Sequence, residues 1–481
     1  MKFGGTSVGN FNAVSRTIDI IKSRKGLEPV VCVSALSGVT DQLYKIVDAA
    51  AYSGISKAME MLAALRERHL CLAEALLSDS PDDFSKASVR INELCDGLSA
   101  VVASIAALGE LPDRIKAVAI SFGELLSSSI IHFAMNRSGI RTAFVDARQI
   151  VITDSDYMKG VPDMEEIGRR APEVIEDTMR GHDAVITQGF IAATASGAGT
   201  VLGRGGSDYT ASLIGAACGA DRIEIWTDVD GIRTTDPRIV RNTKRIDKVS
   251  FAEAAEMAAY GAKVLHPMTI APAVSKNIPI LVLNSMEPDA PGTTILKECM
   301  EDGVKAIAFK VNIYLIEFDG ITEEVLKDHL RRHKIKTDIL VKKEGNKFIL
   351  TVDFSQAIVK VVEELAEECE ITMRTGFSQI SLVGSELYNM KDLVSKAVTD
   401  CSSAHSGNGA SLIETSEVTK QMDSMAKFSE VTKQLDSMAK FSEVKAYKDV
   451  IIDTASNFSF ILPRYLLGES VRKLHRLLFE N

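Results

Sequence analysis

Short apolar runs alternate with helical patterns over the first 285 residues of the chain. The runs are rich in β-branched residues and bounded by Gly, Pro or Asp, which is typical of strands covered on both faces. They cover residues 29–34, 116–121, 142–146, 184–190, 222–229 and 279–285. The helical patterns between them include 122–137, 208–219 and 251–257. This alternation predicts a three-layer α/β domain with a mostly parallel sheet.

Two regions depart from the alternation. Residues 40–108 carry Ala, Leu and Met at spacings of three and four, which predicts helices packed beside the sheet. After about residue 299 the pattern changes to short strands and charged helices, which is typical of small α+β units. The predicted strands are 306–309, 313–318, 347–352 and 380–383, and the predicted helices are 323–333 and 356–369. We therefore expect a first domain at 1–298 and a second region at 299–481.

Residues 416–428 recur almost unchanged as 429–441. The period of 13 residues is too short for a solenoid unit. The apolar stripe slips by roughly 140° per copy, so one straight helix cannot bury both copies on one face. We expect one copy to pack as a helix and the other to protrude, and a tandem duplication without a role is the alternative.

The composition of the chain disfavours some classes of binding partner. The chain has 481 residues and a net charge of −10, which disfavours nucleic acid and anionic membrane as partners. An anionic substrate must therefore meet a local positive site. The seven cysteines form no C-x-x-C pair and indicate reduced thiols. With no signal-peptide pattern and no apolar stretch of about 18 residues, the sequence predicts a cytoplasmic protein.

The loop KFGGTSV near the amino terminus is the first candidate for chemistry. Lys2 ends a very short strand, and Gly4, Gly5, Thr6 and Ser7 lead towards a helical pattern. Glycines let backbone N–H groups approach a ligand, the following helix points its positive end at the same place, and the lysine adds a full charge. The loop therefore suits phosphate oxygens, although a tight turn with a surface lysine would have the same sequence.

Further polar loops follow the other predicted strands. In GRGGSDY, Arg204 can bind an anion at two points, while Ser207 or Asp208 could serve only as a helix cap. In SFGE, Glu124 is expected at a helix start, where it could be a simple dipole partner. The loop 34–40 is rich in hydroxyls.

The nucleotide side is less certain from residues alone. Trp226 precedes Thr227 and Asp228 and could be core or could shape a purine site. Lys263 stands at a predicted helix start, where it opposes the helix dipole and favours a phosphate. The sequence contains no G-x-x-x-x-G-K-[ST], H-R-D, D-F-G, G-x-S-x-G or H-E-x-x-H motif, and no metal-ligand set is predicted.

Taken together, these motifs resemble the aspartate kinases of the amino-acid kinase family. The matching stretches, in family order over 1–298, are KFGGTSV, SALSGVT, SFGELLS, TQGFI, GRGGSDYTA, WTDVDGIRTTDPR and FAEAAEMAAYGAKVLHP. The region 299–481 resembles the paired regulatory ACT domains of such enzymes. The resemblance implies transfer of phosphate from ATP to L-aspartate with Mg²⁺, which opens lysine, threonine and methionine biosynthesis.

The resemblance also implies residue roles. Lys2 would neutralise the transferring phosphoryl group, and Asp208 would orient Lys2. Arg204 would clamp a carboxylate of aspartate and Glu124 would receive its α-ammonium group. The pocket would be shaped by Thr40, Phe190 and Ser207. The nucleotide side would comprise Gly4, Gly5, Thr6, Ser7, Thr227, Asp228, Arg233, Arg238 and Lys263.

Some features depart from the family pattern. Only Met1 precedes Lys2 where the family has an apolar strand, so we expect Lys2 to be held less firmly. Arg233 replaces an aromatic residue common in relatives. Residues 317–321 lack the effector loop of the lysine-sensitive members, which disfavours inhibition by lysine, and the effector at the ACT region is left open between lysine and threonine. We expect a homodimer or higher oligomer through the ACT region, with 313–318 as an edge strand.

Three other functions are alternatives to an aspartate kinase. A kinase for glutamate or N-acetylglutamate would not be expected to carry the ACT-like tail and both full loop motifs. An ACT-type sensor with an inactive kinase domain would not need Lys2, Glu124, Arg204 and Asp208. The length leaves no room for a dinucleotide-binding unit after the tail, so we do not expect a bifunctional kinase and homoserine dehydrogenase.

Overall fold

The strand β1, only two residues long, lies at the centre of an eight-stranded sheet in the computed structural model. The structure describes residues 1–262, 265, 267–299, 303–335, 339–342, 346–353, 356–385, 387, 451–454 and 457–480. The first unit comprises Met1–Ile232, Arg245–Ala254 and Val264–Cys299. The second unit comprises Arg233–Lys244, Ala255–Lys263 and Met300–Asn481. The repeat at 416–441 lies outside the described residues.

The strands and helices are as follows. The strands are β1 (Lys2–Phe3), β2 (Val30–Val33), β3 (Thr142–Phe144), β4 (Ile152–Thr153), β5 (Ala184–Gln188), β6 (Ile191–Thr194), β7 (Gly199–Val201), β8 (Ile223–Thr227), β9 (Lys248–Ser250), β10 (Ile280–Asn284), β11 (Thr293–Leu296), β12 (Gly303–Asp319), β13 (Ile339–Lys342), β14 (Lys347–Asp353), β15 (Glu370–Ser385), β16 (Ile451–Thr454) and β17 (Asn457–Pro463). The helices are α1 (Phe11–Ser23), α2 (Val39–Tyr52), α3 (Ile55–Leu77), α4 (Pro81–Leu108), α5 (Asp113–Arg137), α6 (Ala147–Ile150), α7 (Met164–Met179), α8 (Gly206–Ala217), α9 (Phe251–Ala259), α10 (Pro267–Ser275), α11 (Glu323–Arg332), α12 (Gln356–Leu365) and α13 (Leu467–Phe479).

The main sheet has the strand order β3-β5-β2-β1-β8-β10-β11-β9. Its neighbouring strands are parallel, apart from the antiparallel pair β10 and β11. Both faces are covered, because Ala184 and Ile186 of β5 belong to one hydrophobic core and Val185 between them belongs to another. The predicted α/β class with a mostly parallel sheet is confirmed.

Five of the six predicted strands are found, and the sixth prediction is wrong. Residues 116–121 lie inside α5. Much of this 25-residue helix is buried, so its apolar residues are not confined to one face, and a short apolar run cannot distinguish such a helix from a strand. Glu124 consequently lies in the interior of a helix, and its expected place at a helix start is corrected.

The predicted helical region at 40–108 is confirmed as α2, α3 and α4, which pack with α5. By length and composition, α4 and α5 are apolar enough to cross a membrane. The most apolar window of α5 is 78% buried within the structure, as in a core helix. Two such helices are only a weak indication of membrane insertion.

A small sheet of order β4-β6-β7 leads into the second glycine-rich loop. The strands β6 and β7 form an antiparallel pair, and α8 begins at Gly206, a few residues after β7 ends. The loop that carries Arg204 therefore follows a strand of this small sheet that was not among the strands predicted from the sequence.

The second unit contains a six-stranded sheet of order β13-β14-β12-β15-β17-β16. Its paired strands are antiparallel, and α11 and α12 pack over one hydrophobic core, which confirms the predicted α+β pattern. The prediction that 313–318 is an edge strand is wrong. These residues lie in β12, which pairs with β14 on one side and β15 on the other.

Candidate active site

Lys2 lies at the middle of the main sheet and faces an acidic partner. Its neighbours in the sheet are Cys32 of β2 and Ile225 of β8. The ammonium nitrogen of Lys2 is 2.7 Å from Oδ1 of Asp208, and both side chains are largely shielded from solvent. Asp208 stands in the first turn of α8. The predicted pairing of Lys2 with Asp208 is therefore present in the structure.

Cys32 is a buried thiol that lies opposite Lys2 in the sheet. Burial raises the pKa of its thiol to about 12, and the charges of Lys2, Asp208 and Glu124 all act on that pKa. The Cys32 thiol also donates to the carbonyl of Ser207 at 3.6 Å. The raised pKa keeps this buried thiol protonated and unreactive.

Glu124 is a buried carboxyl group with an incomplete set of partners. The residue is 3% exposed, and its Oε1 accepts a hydrogen bond from the backbone N–H of Ala35 at 3.2 Å. Its Oε2 has no partner among the described residues. Burial raises the pKa of Glu124 to about 8. A buried carboxyl with one free oxygen is suited to a cationic ligand, because such a ligand would compensate the cost of burying the charge.

The glycine-rich loop after β1 is held by backbone contacts on both sides. The N–H of Gly4 donates to the carbonyl of Trp226 at 3.2 Å, and the N–H of Ser37 donates to the carbonyl of Gly5 at 3.1 Å. A Cβ on Gly5 would lie 3.0 Å from the carbonyl oxygen of Ala35, so this close approach favours glycine. Thr6 is exposed.

Ser7 is buried and joins the loop to the neighbouring strand ends. Its hydroxyl lies 2.8 Å from the hydroxyl of Ser285, which donates to the carbonyl of Thr227 at 3.0 Å. The carbonyl of Ser7 accepts from the hydroxyl of Thr17 at 2.8 Å. Ser7 and Thr227, both predicted on the nucleotide side, are therefore linked through Ser285, which the sequence alone did not indicate.

The remaining pocket residues lie on three neighbouring segments. Thr40 is in the first turn of α2, directly after the loop that binds Gly5 and Glu124. Phe190 follows β5 and has a positive φ of 67°. Arg204 is exposed and makes no hydrogen bond or ion pair with the described residues.

Trp226 belongs to the core rather than to a ligand site. It is 0% exposed, it stacks on Phe3 with ring centroids 6.0 Å apart, and its indole N–H donates to Glu224 at 3.0 Å. Of the two open interpretations of this residue, the structure supports the core.

Of the predicted nucleotide-side residues, two belong to the second unit and one lies outside the described residues. Arg233 and Arg238 belong to the segment Arg233–Lys244 of the second unit. Arg233 donates to the carbonyl of Thr243 at 2.7 Å, and Arg238 makes a two-point ion pair with Asp236. Lys263 lies outside the described residues.

A cavity of about 670 Å³ opens at the edge of the main sheet where the strands begin, opposite the edge that carries the glycine-rich loop after β1. Its lining includes Met1, Val30 and Ile223, which stand at or just before the amino ends of β1, β2 and β8. Ligands of open α/β sheets bind beyond the carboxyl ends of the strands, so the candidate active site is the cluster around Lys2 and not this cavity.

No group of three or more His, Cys, Asp or Glu side chains that could hold a metal is found in the described part of the chain. Mg²⁺ is commonly bound by one or two carboxylates together with substrate phosphates and water. Asp208, whose carboxylate lies beside Lys2, is a ligand of this kind among the described side chains.

Comparisons with known proteins identify the family of this chain. The amino acid kinase family model matches residues 1–284. Lysine-sensitive aspartokinase 3 of Escherichia coli (strain K12) is 34% identical over 405 residues, which is 80% of this chain and 87% of that protein. The aspartokinase of Chlamydia muridarum is 32% identical over 395 residues, which is 80% of this chain and 85% of that protein.

Solved structures give the same result. E. coli aspartokinase III in complex with aspartate and ADP (R-state) matches with a TM-score of 0.77 and 28% identity, over 99% of each chain. The same enzyme in complex with lysine and aspartate (T-state) matches with a TM-score of 0.73 and 29% identity, over 99% of this chain and 98% of that chain.

The parallel sheet, its glycine-rich loops and the central lysine define a phosphotransferase, and the chain belongs to the amino acid kinase family. Its place within that family is among the aspartokinases, because the curated relatives that share a third of their residues over most of its length are aspartokinases. The family resemblance inferred from the sequence motifs is confirmed.

Proposed function

We propose that this aspartokinase transfers the γ-phosphoryl group of ATP to the side-chain carboxylate of L-aspartate. The products are ADP and 4-phospho-L-aspartate, and the reaction begins lysine, threonine and methionine biosynthesis. The observation that supports the proposal is the Lys2–Asp208 ion pair together with the buried Glu124, whose Oε1 accepts from Ala35 in the loop that contacts Gly5 and whose Oε2 has no partner among the described residues. One site thus offers a cation for phosphoryl oxygens and an anion for an amino group.

The chemistry requires alignment and charge neutralisation rather than a general base. The attacking carboxylate of aspartate is already an anion, so no proton has to be removed from it. The ammonium group of Lys2 stabilises the negative charge on the transferring phosphoryl oxygens. Asp208, 2.7 Å from that ammonium group, holds the lysine in place before substrates bind. Lys2 and Asp208 are accordingly the catalytic pair.

Substrate recognition uses opposite charges at the two ends of aspartate. The exposed guanidinium group of Arg204, which has no partner among the described residues, clamps a carboxylate, and Glu124 accepts the α-ammonium group on its Oε2, which likewise has no described partner. The walls of the pocket come from Thr40, Phe190 and Ser207. Holding both ends of aspartate fixes the reacting carboxylate towards the nucleotide.

ATP is placed on the side of the glycine-rich loop. Its phosphates approach Gly4, Gly5, Thr6 and Ser7, and Thr227 and Asp228 at the end of β8 hold the nucleoside part. Arg233, Arg238 and Lys263 complete this set on the strength of the motif resemblance. Mg²⁺ supplies additional charge neutralisation when it is bound with ATP.

Regulation and assembly are assigned to the second part of the chain. We assign 1–298 to catalysis and 299–481 to a paired ACT-like regulatory region that binds lysine or threonine. The T-state structure of the E. coli relative contains lysine, which supports an amino-acid effector here. The same region would make a homodimer or a higher oligomer, and we place the enzyme in the cytoplasm.

Trapping of the acyl phosphate with hydroxylamine tests the proposal. The purified chain with ATP and aspartate should form the hydroxamate, whereas glutamate and N-acetylglutamate should give little. Hydroxamate from glutamate alone would identify a different amino acid kinase. No hydroxamate from any of these acids, together with binding of lysine or threonine, would identify a sensor. Repeating the reaction with added lysine and then threonine identifies the effector.

A further inference from the structure

Phe190 occupies a backbone conformation that residues other than glycine rarely adopt. Its φ is +67°, and the N–H of Ile191 donates to the carbonyl of Gly189 at 2.7 Å. These two features define a three-residue γ-turn with Phe190 at its centre, and this variant of the turn is rare and strained. Contacts from outside the turn must therefore hold it.

The hydroxyl group of Thr210 supplies such a contact. The N–H of Phe190 donates to Oγ1 of Thr210 at 3.0 Å, and the hydroxyl of Thr210 donates to the carbonyl of Gly206 at 2.9 Å. An amide N–H can only donate and a carbonyl can only accept, so both hydrogen bonds have a defined direction. Thr210 is 0% exposed, so water cannot replace its hydroxyl group.

The two segments joined by Thr210 are also in direct contact. A Cβ on Gly189 would lie 2.5 Å from Cβ of Ser207, and a Cβ on Gly206 would lie 2.7 Å from Cδ2 of Phe190. The glycines therefore allow the turn at Phe190 and the start of α8 to interlock. Thr210 is the side chain that hydrogen-bonds to both.

We infer that Thr210 is a positioning residue that sets the shape of the aspartate pocket without touching the substrate. The inference rests on the proposed function, in which Phe190 and Ser207 are walls of that pocket. Without the hydroxyl group of Thr210, the turn can relax towards a favoured φ, and the ring of Phe190 moves with it. Aspartate binding should then weaken while ATP binding does not.

A pair of near-isosteric variants tests this role. Thr210→Val keeps the shape of the side chain and removes the hydroxyl group, whereas Thr210→Ser keeps the hydroxyl group. We expect Thr210→Val to raise the KM for aspartate about tenfold, which corresponds to about 1.4 kcal/mol. The KM for ATP should stay within about twofold, and Thr210→Ser should resemble the unaltered enzyme in both constants.

Ser212→Ala is the matched control. Ser212 is a buried hydroxyl residue on the same helix and also accepts a backbone N–H from another segment, that of Ala273 at 3.2 Å. Its loss should lower the melting temperature without raising the KM for aspartate selectively. Thr210→Ala, which removes the same hydroxyl group, replaces Thr210→Val if the valine variant does not fold.

The inference is overturned if Thr210→Val raises both KM values equally, if it changes neither, or if Thr210→Ser behaves like Thr210→Val. Its failure is distinct from failure of the proposed function. If the unaltered enzyme forms no hydroxamate from aspartate, the proposed function itself is wrong, because no variant is involved in that measurement.

Discussion

The two acidic residues of the site differ in their surroundings. Asp208 forms an ion pair with Lys2, whereas Glu124 is buried and one of its oxygens has no partner in the described part of the chain. Burial raises the pKa of Glu124 to about 8, so in the free enzyme near pH 7 this carboxyl is largely protonated. Since only the ionised form can pair with the ammonium group of aspartate, substrate binding should remove the proton.

This proton release is the first prediction. Binding of aspartate near pH 7 should release up to about one proton per site, and the release should fall towards zero at about pH 9, where Glu124 is already ionised. Calorimetric titration in two buffers of different ionisation enthalpy measures the number. Glu124→Gln should abolish the release, while Glu93→Gln, at an exposed surface site, should keep it. An unchanged release in Glu124→Gln would assign the proton to another group.

The charge of Lys2 has the largest expected effect on turnover. Lys2→Ala should lower kcat by on the order of 10³ or more, by analogy with other cations that stabilise phosphoryl transfer. Lys2→Arg keeps the charge and should retain part of the rate. Lys25→Ala removes another lysine that is ion-paired, to Asp183 at 2.9 Å, and should leave kcat unchanged. Steady-state hydroxamate assays give these values, and near-normal turnover in Lys2→Ala would refute the role of Lys2.

At the level of elements, one hydroxyl connects three segments at the carboxyl edge of the sheet. Ser285, directly after β10, links Ser7 of the glycine-rich loop to the end of β8. Ser285→Ala should let the loop move and raise the KM for ATP about fivefold, within the range expected for one hydrogen bond. The KM for aspartate should change less than about twofold.

Ser285→Ala should thus act on the KM for ATP, whereas Thr210→Val should act on the KM for aspartate. Each variant is therefore a control for the other. Ser15→Ala, which removes an exposed hydroxyl from α1, should change neither constant. Equal effects of Ser285→Ala on both KM values would show that the link supports the fold and not the nucleotide site.

The sequence of α5 favours the wrong structure over its first half. Residues 116–121 are apolar and short, and Gly123 follows them, which favours a strand and a turn over a helix. In the structure, Gly123 lies against Ala35 and Leu43, where a Cβ would come within 2.9 and 3.2 Å of their side chains. Close packing between α5 and its neighbours explains this glycine, and such packing is not visible in local sequence.

The predicted edge strand at 313–318 failed for a related reason. The sequence showed two short apolar segments, but β12 runs continuously over 17 residues with irregular pairing near Val311 and Ile313. Which neighbours a strand acquires depends on pairing with distant segments. A strand can therefore be predicted from its residues, while its place in the sheet cannot.

At the scale of the whole molecule, the site could be predicted because its parts are continuous motifs at loop positions. Lys2, Glu124 and Asp208 were each identified from their own segment, and in the folded chain Lys2 pairs with Asp208 while the charges of all three act on the pKa of Cys32. The supporting residues could not be predicted in this way. The hydrogen bonds of Thr210 to Phe190 and of Ser285 to Ser7 join residues 20 and 278 positions apart, and nothing in either segment specifies its partner.

The raised pKa of Glu124 also makes a prediction for the stability of the first unit. Below about pH 4.5, the usual pKa of this group, the carboxyl is protonated in both the folded and the unfolded chain. Between that pH and about 8, the folded state keeps a proton that the unfolded state has released, so stability falls as the pH rises. Above about pH 8 the carboxylate is buried in its charged form, and the contribution has been lost.

Trp226 allows this effect to be measured on the first unit alone. It is the only tryptophan in the chain, and it is buried against Phe3, next to Lys2. Thermal unfolding is followed by the fluorescence of Trp226. The Tm of Glu124→Gln minus the Tm of the unaltered protein should increase by several degrees from about pH 5.5 to about pH 9. The reason is that about 1 kcal/mol shifts Tm by about 2–4 °C in domains of this size. Other titrating groups act on both proteins and cancel in the difference. A difference independent of pH would mean that Glu124 is ionised in the folded protein throughout.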